Sequence, residues 1–122
     1  MGTACRSVRG AITVERNTAE AIESATTELL LAVIQENKIK IKDIVNIYFS
    51  VTVDLNAQFP AVAARRLSWK TVPMLCGYEI DVPGSLRKCI RVMLTCHSKI
   101  PQAKIKHQYL AGAEILRPDL VK

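Results

Sequence analysis

The residues able to do chemistry in this chain are few, and arginines set inside apolar segments stand out among them. Arg91 lies within CIRVML, residues 89–94, and Arg9 lies within SVRGAIT, residues 7–13. A guanidinium keeps its charge at any ordinary pH, and burying it unpaired costs several kcal/mol. Two readings stay open for Arg91. One is a structural ion pair with Glu79 or Asp81. The other is a cation lining a cavity and awaiting an anionic ligand. A second arginine in the same setting, Arg9, weighs against two coincidental structural pairs.

The remaining candidates say less alone. Cys76 is followed by Gly77 and Glu79. A nucleophilic thiol needs a histidine base; His97 and His107 are present, but spacing places neither beside it, and a buried inert thiol is the default. Glu79 has no obvious carboxylate partner for paired acid–base work, and Tyr109 reads as packing. The four cysteines, Cys5, Cys76, Cys89 and Cys96, form no C-x-x-C pair and match no usual zinc spacing with His97 or His107. Neither a Gly-rich phosphate loop nor the H-E-x-x-H or G-x-S-x-G motif occurs.

Size and charge narrow the ligand. The chain has 122 residues, 49% of them hydrophobic and 5% aromatic, which suits one compact domain with an aliphatic core. The net charge is +6, which nucleic acid, a membrane surface or a small anion could each explain. The basic residues form no single tract. Lys38, Lys40 and Lys42 alternate with Ile39 and Ile41 as in a solvated connector, whereas Arg9, Arg65, Arg66, Arg91 and Arg117 sit in or beside apolar segments. Dispersed arginines that converge in space suit a small polyanion better than a DNA backbone. No apolar stretch has the length of a signal h-region or a membrane span, so a cytoplasmic protein with reduced thiols is expected.

These side chains need elements to hold them. Residues 5–14 alternate as a half-buried strand, with Val8, Gly10, Ile12 and Val14 on one face and Arg9, Ala11 and Thr13 on the other. Asn17 and Thr18, with Glu20 three residues after Asn17, resemble a capping box. Ile22, Ala25, Leu29, Leu30, Val33 and Ile34 then recur at helical spacing, predicting a long helix from Thr18 to Asn37. Residues 44–53 alternate as a second strand, with Val45, Ile47, Phe49, Val51 and Val53 facing one way. Pro60 opens a short helix through Leu67. A short third strand is expected at 71–76, where Pro73 marks an edge or bulge. A central fourth strand is expected at 89–97, a helical turn at 101–107 and a final strand at 109–116. This order predicts one α+β domain over residues 1–122 with a mixed sheet.

Several blocks together resemble the AroH-type monofunctional chorismate mutases: VRGAITVERNT (8–18), DLNAQFPAVAARRL (54–67), VPMLCGYEIDV (72–82), GSLRKCIRVML (84–94) and YLAGAEILRPDL (109–120). The resemblance spans almost the whole chain. It implies a Claisen rearrangement of chorismate to prephenate, the step toward phenylalanine and tyrosine. It also implies a homotrimeric pseudo-α/β-barrel of sheets packed on long helices, with active sites in clefts between subunits. By motif position, Arg9, Cys76, Glu79, Arg91 and Tyr109 come from one subunit and Phe59 and Arg65 from its neighbour. Met74, Leu75, Leu116 and Arg117 also match site-lining positions, and Val62 stands where members often carry a lysine.

The implied chemistry fits the arginines. Chorismate is a dianion, and its rearrangement is unimolecular, needing no cofactor, metal, proton transfer or covalent adduct. By resemblance Arg91 stabilises negative charge on the ether oxygen as the C–O bond breaks, and Arg9 holds a carboxylate. Glu79 accepts from the ring hydroxyl and orients Arg91, Tyr109 donates to a carboxylate, and Cys76 is a polar neighbour. A non-catalytic trimeric module binding a small anion remains the alternative, and a nucleic-acid-binding domain a third. Neither a nucleic-acid nor a membrane partner is expected.

Overall fold

The computed structural model describes residues 2–119; Leu120, which closes the last resembling block, lies outside them. Alternation decides what each strand buries. β1 (Ala4–Thr13) turns Val8, Gly10 and Ile12 inward, and β4 (Cys89–Ser98) turns Ile90, Val92 and Leu94 inward, leaving Arg91 and Met93 on the opposite face. β2 (Ile44–Val51) buries Ile47, Phe49 and Val51. A register shift between Ile44 and Asn46 turns Ile44 in and Val45 out, the usual effect of a bulge on side-chain phase. Val45 therefore leaves the face that simple alternation assigns it, and Val53 lies beyond the strand and is exposed.

The sheet has five strands in the order β3-β2-β4-β1-β5, with β3 at Met74–Tyr78 and β5 at Gln108–Leu110. β4 runs antiparallel to both neighbours, while β3 and β5 lie parallel to β2 and β1, so the sheet is mixed and β4 is central as expected. Two boundaries differ from the sequence expectation. The third strand starts after Pro73, because a proline cannot donate to the ladder; the Pro73 carbonyl accepts from Ile47 N at 2.9 Å and the strand then runs to Tyr78. The final strand is only three residues long. Ala111 takes φ 52°, which breaks the extended run, and Ala111–Leu116 winds into a 3-10 turn.

α1 (Ala19–Glu36) lies across one face of the sheet, burying Ile22, Leu29, Leu30 and Val33 against the inward residues of β1, β2 and β4. Each such side chain taken fully out of water contributes about 1.5–3 kcal/mol. The N-cap is Thr18, whose hydroxyl accepts from Ala21 N at 3.1 Å. Asn17 does not take that role. Its Oδ1 accepts from Asn56 N and Ala57 N, both at 3.0 Å, pinning the loop before α2 (Ala61–Arg66).

Three local devices position the far face. Asn37, the buried C-cap of α1, donates through Nδ2 to Val33 O and Lys106 O at 2.9 Å and accepts from Lys106 N at 2.7 Å. That clasp fixes the segment leading into β5. Gly10 lets three elements crowd together, since a Cβ there would meet Leu29 Cδ1 at 3.0 Å, Gln108 O at 3.1 Å and Val92 Cγ1 at 3.2 Å. Asp54 accepts from Thr52 Oγ1 at 2.5 Å and from Lys88 N at 3.1 Å, joining the end of β2 to the start of β4. Partial burial pushes its carboxyl up, but these bonds and nearby Arg87 outweigh that and hold it below its ordinary value.

Candidate active site

The sheet face opposite α1 carries the candidate chemistry. Across it, Gly77, Ser50, Arg91, Ala11 and Tyr109 form one row of neighbours, one from each strand. The adjacent row on the same face is Leu75, Tyr48, Met93 and Arg9. Small residues on either side of Arg91 within its row, Ser50 and Ala11, leave room above the sheet for longer side chains. Arg9, Gly10, Tyr48, Arg91, Val92, Met93 and Tyr109 together line a cavity of about 190 Å³.

Arg91 is not buried in this chain: its side chain is 45% exposed, because the face it occupies carries no helix. It answers both readings left open. Its Nε lies 3.6 Å from Glu79 Oε1, while its row places it at the cavity. The other Glu79 oxygen accepts from the Ser50 hydroxyl, and Glu79 N donates to Val51 O at 2.8 Å, fixing the residue at the end of β3. An Nε-side contact orients the guanidinium and leaves its terminal nitrogens for a ligand. Asp81, the other partner considered from sequence, pairs with Arg87 at 2.9 Å instead.

Arg9 has no ion-pair partner among the described residues. Its backbone N donates to His107 Nδ1 at 2.9 Å. Burial pushes His107 below its ordinary value of 6.5, and the charges of Arg9 and Arg117 push it the same way. Arg117 itself forks onto Asp119, with Nε to Oδ1 at 3.0 Å and Nη2 to Oδ2 at 2.8 Å. Leu116 packs on the small cluster of Ala11, Cys89, Tyr109 and Ala113 that supports this end of the face. Of the dispersed arginines, Arg9 and Arg91 share one cavity with Tyr109, whereas Arg117 is paired with Asp119 outside its lining and Arg65 and Arg66 lie on α2.

His107 makes stability depend on pH in a defined direction. Its value is depressed in the folded state, so the unfolded chain binds the extra proton more readily. The stabilisation is complete above pH 6.5 and is lost as pH falls through the depressed folded value. Melting temperatures measured from about pH 8 down to about pH 5 should fall more steeply for the wild type than for His107→Gln, which cannot titrate. Parallel curves would contradict this role.

Cys76, Phe59 and Arg65 lie elsewhere. By register Cys76 shares the Phe49 side of the sheet, opposite to Arg91. It lines a second cavity, of about 350 Å³, with Phe59, Gly77 and Tyr78. Alternation of the ladder bonds also turns the Cys76 N–H toward the unpaired edge of β3. Phe59 is 66% exposed at the start of the α2 segment, and Arg65 is exposed in the last turn of α2, whereas its neighbour Arg66 binds Glu23 at 3.0 Å. Met74 packs on the main core and Leu75 stands out from the open face. The thiols at Cys89 and Cys96 are buried, and desolvation pushes Cys89 up to about 11, which leaves it inert as a nucleophile.

Sequence reasoning missed Ser50, Tyr48 and Met93 as site residues and weighed His107 only as a base or a zinc ligand. Each reaches the site through cross-strand register, which no local motif displays.

A mixed sheet with α1 on one face and Arg9 and Arg91 lining a cavity on the other makes an α+β fold whose open face suits an anionic ligand. Comparison with known proteins makes the class specific. Residues 5–120 match the family model for chorismate mutase type I. The chain is 51% identical to the chorismate mutase AroH of Bacillus subtilis over 116 residues, covering 94% of this chain and 91% of that one. It is 47% identical to the chorismate mutase AroH of Thermus thermophilus, covering 94% and 95%. A solved structure of a chorismate mutase from Clostridium thermocellum superposes with a TM-score of 0.88 at 47% identity, covering 89% of this chain and 97% of that one. The chain belongs to the type I chorismate mutase family.

Proposed function

We propose that this chain catalyses the rearrangement of chorismate to prephenate, as one domain over residues 1–122 working in a homotrimer in the cytoplasm. The observation that carries the reading is the convergence of Arg9, Arg91 and Tyr109 at one cavity in a member of this family.

The reaction is unimolecular, so the protein supplies two things. It holds the enolpyruvyl side chain over the ring in a reactive geometry, and it stabilises the charge that builds on the ether oxygen. Arg91 supplies the opposing positive charge, oriented by Glu79 with Ser50 behind it. Unpaired Arg9 takes a carboxylate, as does Tyr109, while Glu79 accepts from the ring hydroxyl. Because Arg91 gains most when the C–O bond is breaking, it binds the transition state better than the ground state.

The trimer is supported by what one chain leaves uncovered. Tyr48, Leu75 and Met93 are exposed on the open face, and Ile80 beyond β3 is 85% exposed. A contiguous apolar surface of this kind marks an interface. Phe59 and Arg65 stand apart from the arginine cavity within the chain, which suits their completing a neighbour's site. Cys76 lies beside Phe59, so its N–H and thiol act as polar contacts at the junction, not as a nucleophile. No observation favours the non-catalytic alternative.

Turnover in heavy-oxygen water and in deuterated water tests the reaction type. The product should have the mass of chorismate with no label at non-exchangeable positions, and Cys76→Ser should keep substantial activity with no covalent adduct on the wild type. Solvent label in the product, or substrate trapped on Cys76, would sink the pericyclic assignment.

A further inference from the structure

We infer that His107 is a positioning residue for the reaction: its neutral imidazole locks β1 at Arg9 and so fixes the arginine that takes a substrate carboxylate. This deepens the reading above and rests on it.

β1 pairs with β5 over a short stretch, Gly10 to Ile12 against Gln108 to Leu110. The N–H groups of alternate residues point to the same edge of a strand, so Ser7 and Arg9 offer theirs on the β5 side, before that ladder begins. Side chains close this edge in place of a strand. The Gln102 amide accepts from Ser7 N at 2.9 Å and donates to Ser7 O at 2.7 Å. His107 Nδ1 accepts from Arg9 N at 2.9 Å. The imidazole is itself anchored from both directions along the chain. Lys106 before it is clasped through N and O by the buried Asn37 side chain, and Gln108 after it is in the ladder.

The Arg9 side chain lines the cavity with Arg91 and Tyr109. Among the described residues no acceptor holds its guanidinium, so its aim is set by the backbone beneath it. A leucine could fill the space of the imidazole; only an acceptor at the Nδ1 position closes the edge. A histidine accepts at Nδ1 when it is neutral and its proton sits on Nε2. Burial, and then the charges of Arg9 and Arg117, disfavour the protonated ring. The cavity of about 580 Å³ beside it adds Glu36 of α1, Glu114, Lys104 and Lys106, two anions and two cations that offset one another. The arginine that His107 holds thus helps to keep it in the form that holds.

The test compares the wild type, His107→Leu and His107→Asn at about pH 8, above the ordinary histidine range. Each is first shown by circular dichroism and sedimentation to be folded in the wild-type oligomer. Leucine and asparagine share one branched shape, and the asparagine Oδ1, like Nδ1, is bonded to Cγ. His107→Leu leaves the Arg9 N–H unpaired. It should raise KM for chorismate about five- to tenfold, the loss for one unmade hydrogen bond. The change in kcat should be much smaller, because a carboxylate contact is present in ground and transition states alike. His107→Asn should recover most of the loss. A double-mutant cycle with Arg9→Ala separates positioning from packing. Read as prephenate binding by calorimetry, His107→Leu should weaken binding when Arg9 is present and have little effect once Arg9 is alanine. An unchanged KM in His107→Leu, equal losses in His107→Leu and His107→Asn, or a His107→Leu effect that persists beside Arg9→Ala would each overturn the inference. If His107→Leu disturbs the oligomer, His107→Gln, whose acceptor stands one bond too far out, takes its place with the same expectations. A wild type that binds prephenate in a His107-dependent way but does not turn over chorismate would remove only the reading above.

Discussion

Arg91→Ala is expected to lower kcat by about 10²–10³ at least, the usual loss for one preorganised transition-state contact. Both kcat and kcat/KM should fall together, since the contact strengthens as the ether bond breaks. Arg91→Lys keeps the charge but loses the planar fork that lets one edge face Glu79 while the other faces substrate, so it should recover only part. The geometry makes folding a minor confounder. Arg91 sits 45% exposed on the face away from α1, and its strand neighbours Ile90 and Val92 keep their buried contacts. Removing it leaves Glu79 hydrogen-bonded to Ser50, so no buried charge is stranded. A folded Arg91→Ala oligomer with unchanged kcat would make the arginine structural.

The second large effect is complementation between two inactive proteins. In the proposed homotrimer Arg91→Ala removes the arginine half of a site, and Arg65→Ala removes the half assigned to α2 of a neighbour. Denatured together in equal amounts and refolded, the two variants should form trimers of which about three quarters are mixed, each with one restored site in three, so that about one site in four overall carries both wild-type halves, as random filling of a heterologous ring interface requires. Activity should therefore rise from near zero to about a quarter of wild type, the equivalent of restoring the full Arg91 effect at those sites. Proven mixing with no recovery would show that Arg65 and Arg91 act within one chain.

How far the sequence alone reached follows from which signals are local. The long helix and the central strand were legible because periodicity is a property of neighbouring residues: Ile22, Leu29, Leu30 and Val33 form one stripe, and Ile90, Val92 and Leu94 one face. Arg91 was conspicuous because charge broke that alternation. Its environment was not legible. The strand looked apolar on both sides, yet only one side meets α1, and nothing local distinguishes a face covered by a helix from a face left open. β5 ended early for a backbone reason, the positive φ at Ala111, which an alanine does not advertise. Tyr48 and Ser50 belong to the site through pairing with strands more than 25 residues away, and register across a sheet is set by the whole hydrophobic pattern, not by a motif. Cys76 was placed with the arginines by motif position, whereas strand parity puts it on the Phe49 side, in a cavity it shares with Phe59.

If Arg91 and the groups around it act by charge and positioning, the bound dianion is converted with no covalent step. The most direct measurement is the loss of chorismate absorbance in the presence of the purified protein alone, with prephenate quantified in the same samples. Steady loss is expected, matched one for one by prephenate, and nearly abolished in folded Arg91→Ala. Chorismate that binds, as judged by titration, but persists at its uncatalysed rate would contradict it and make the chain an anion-binding module.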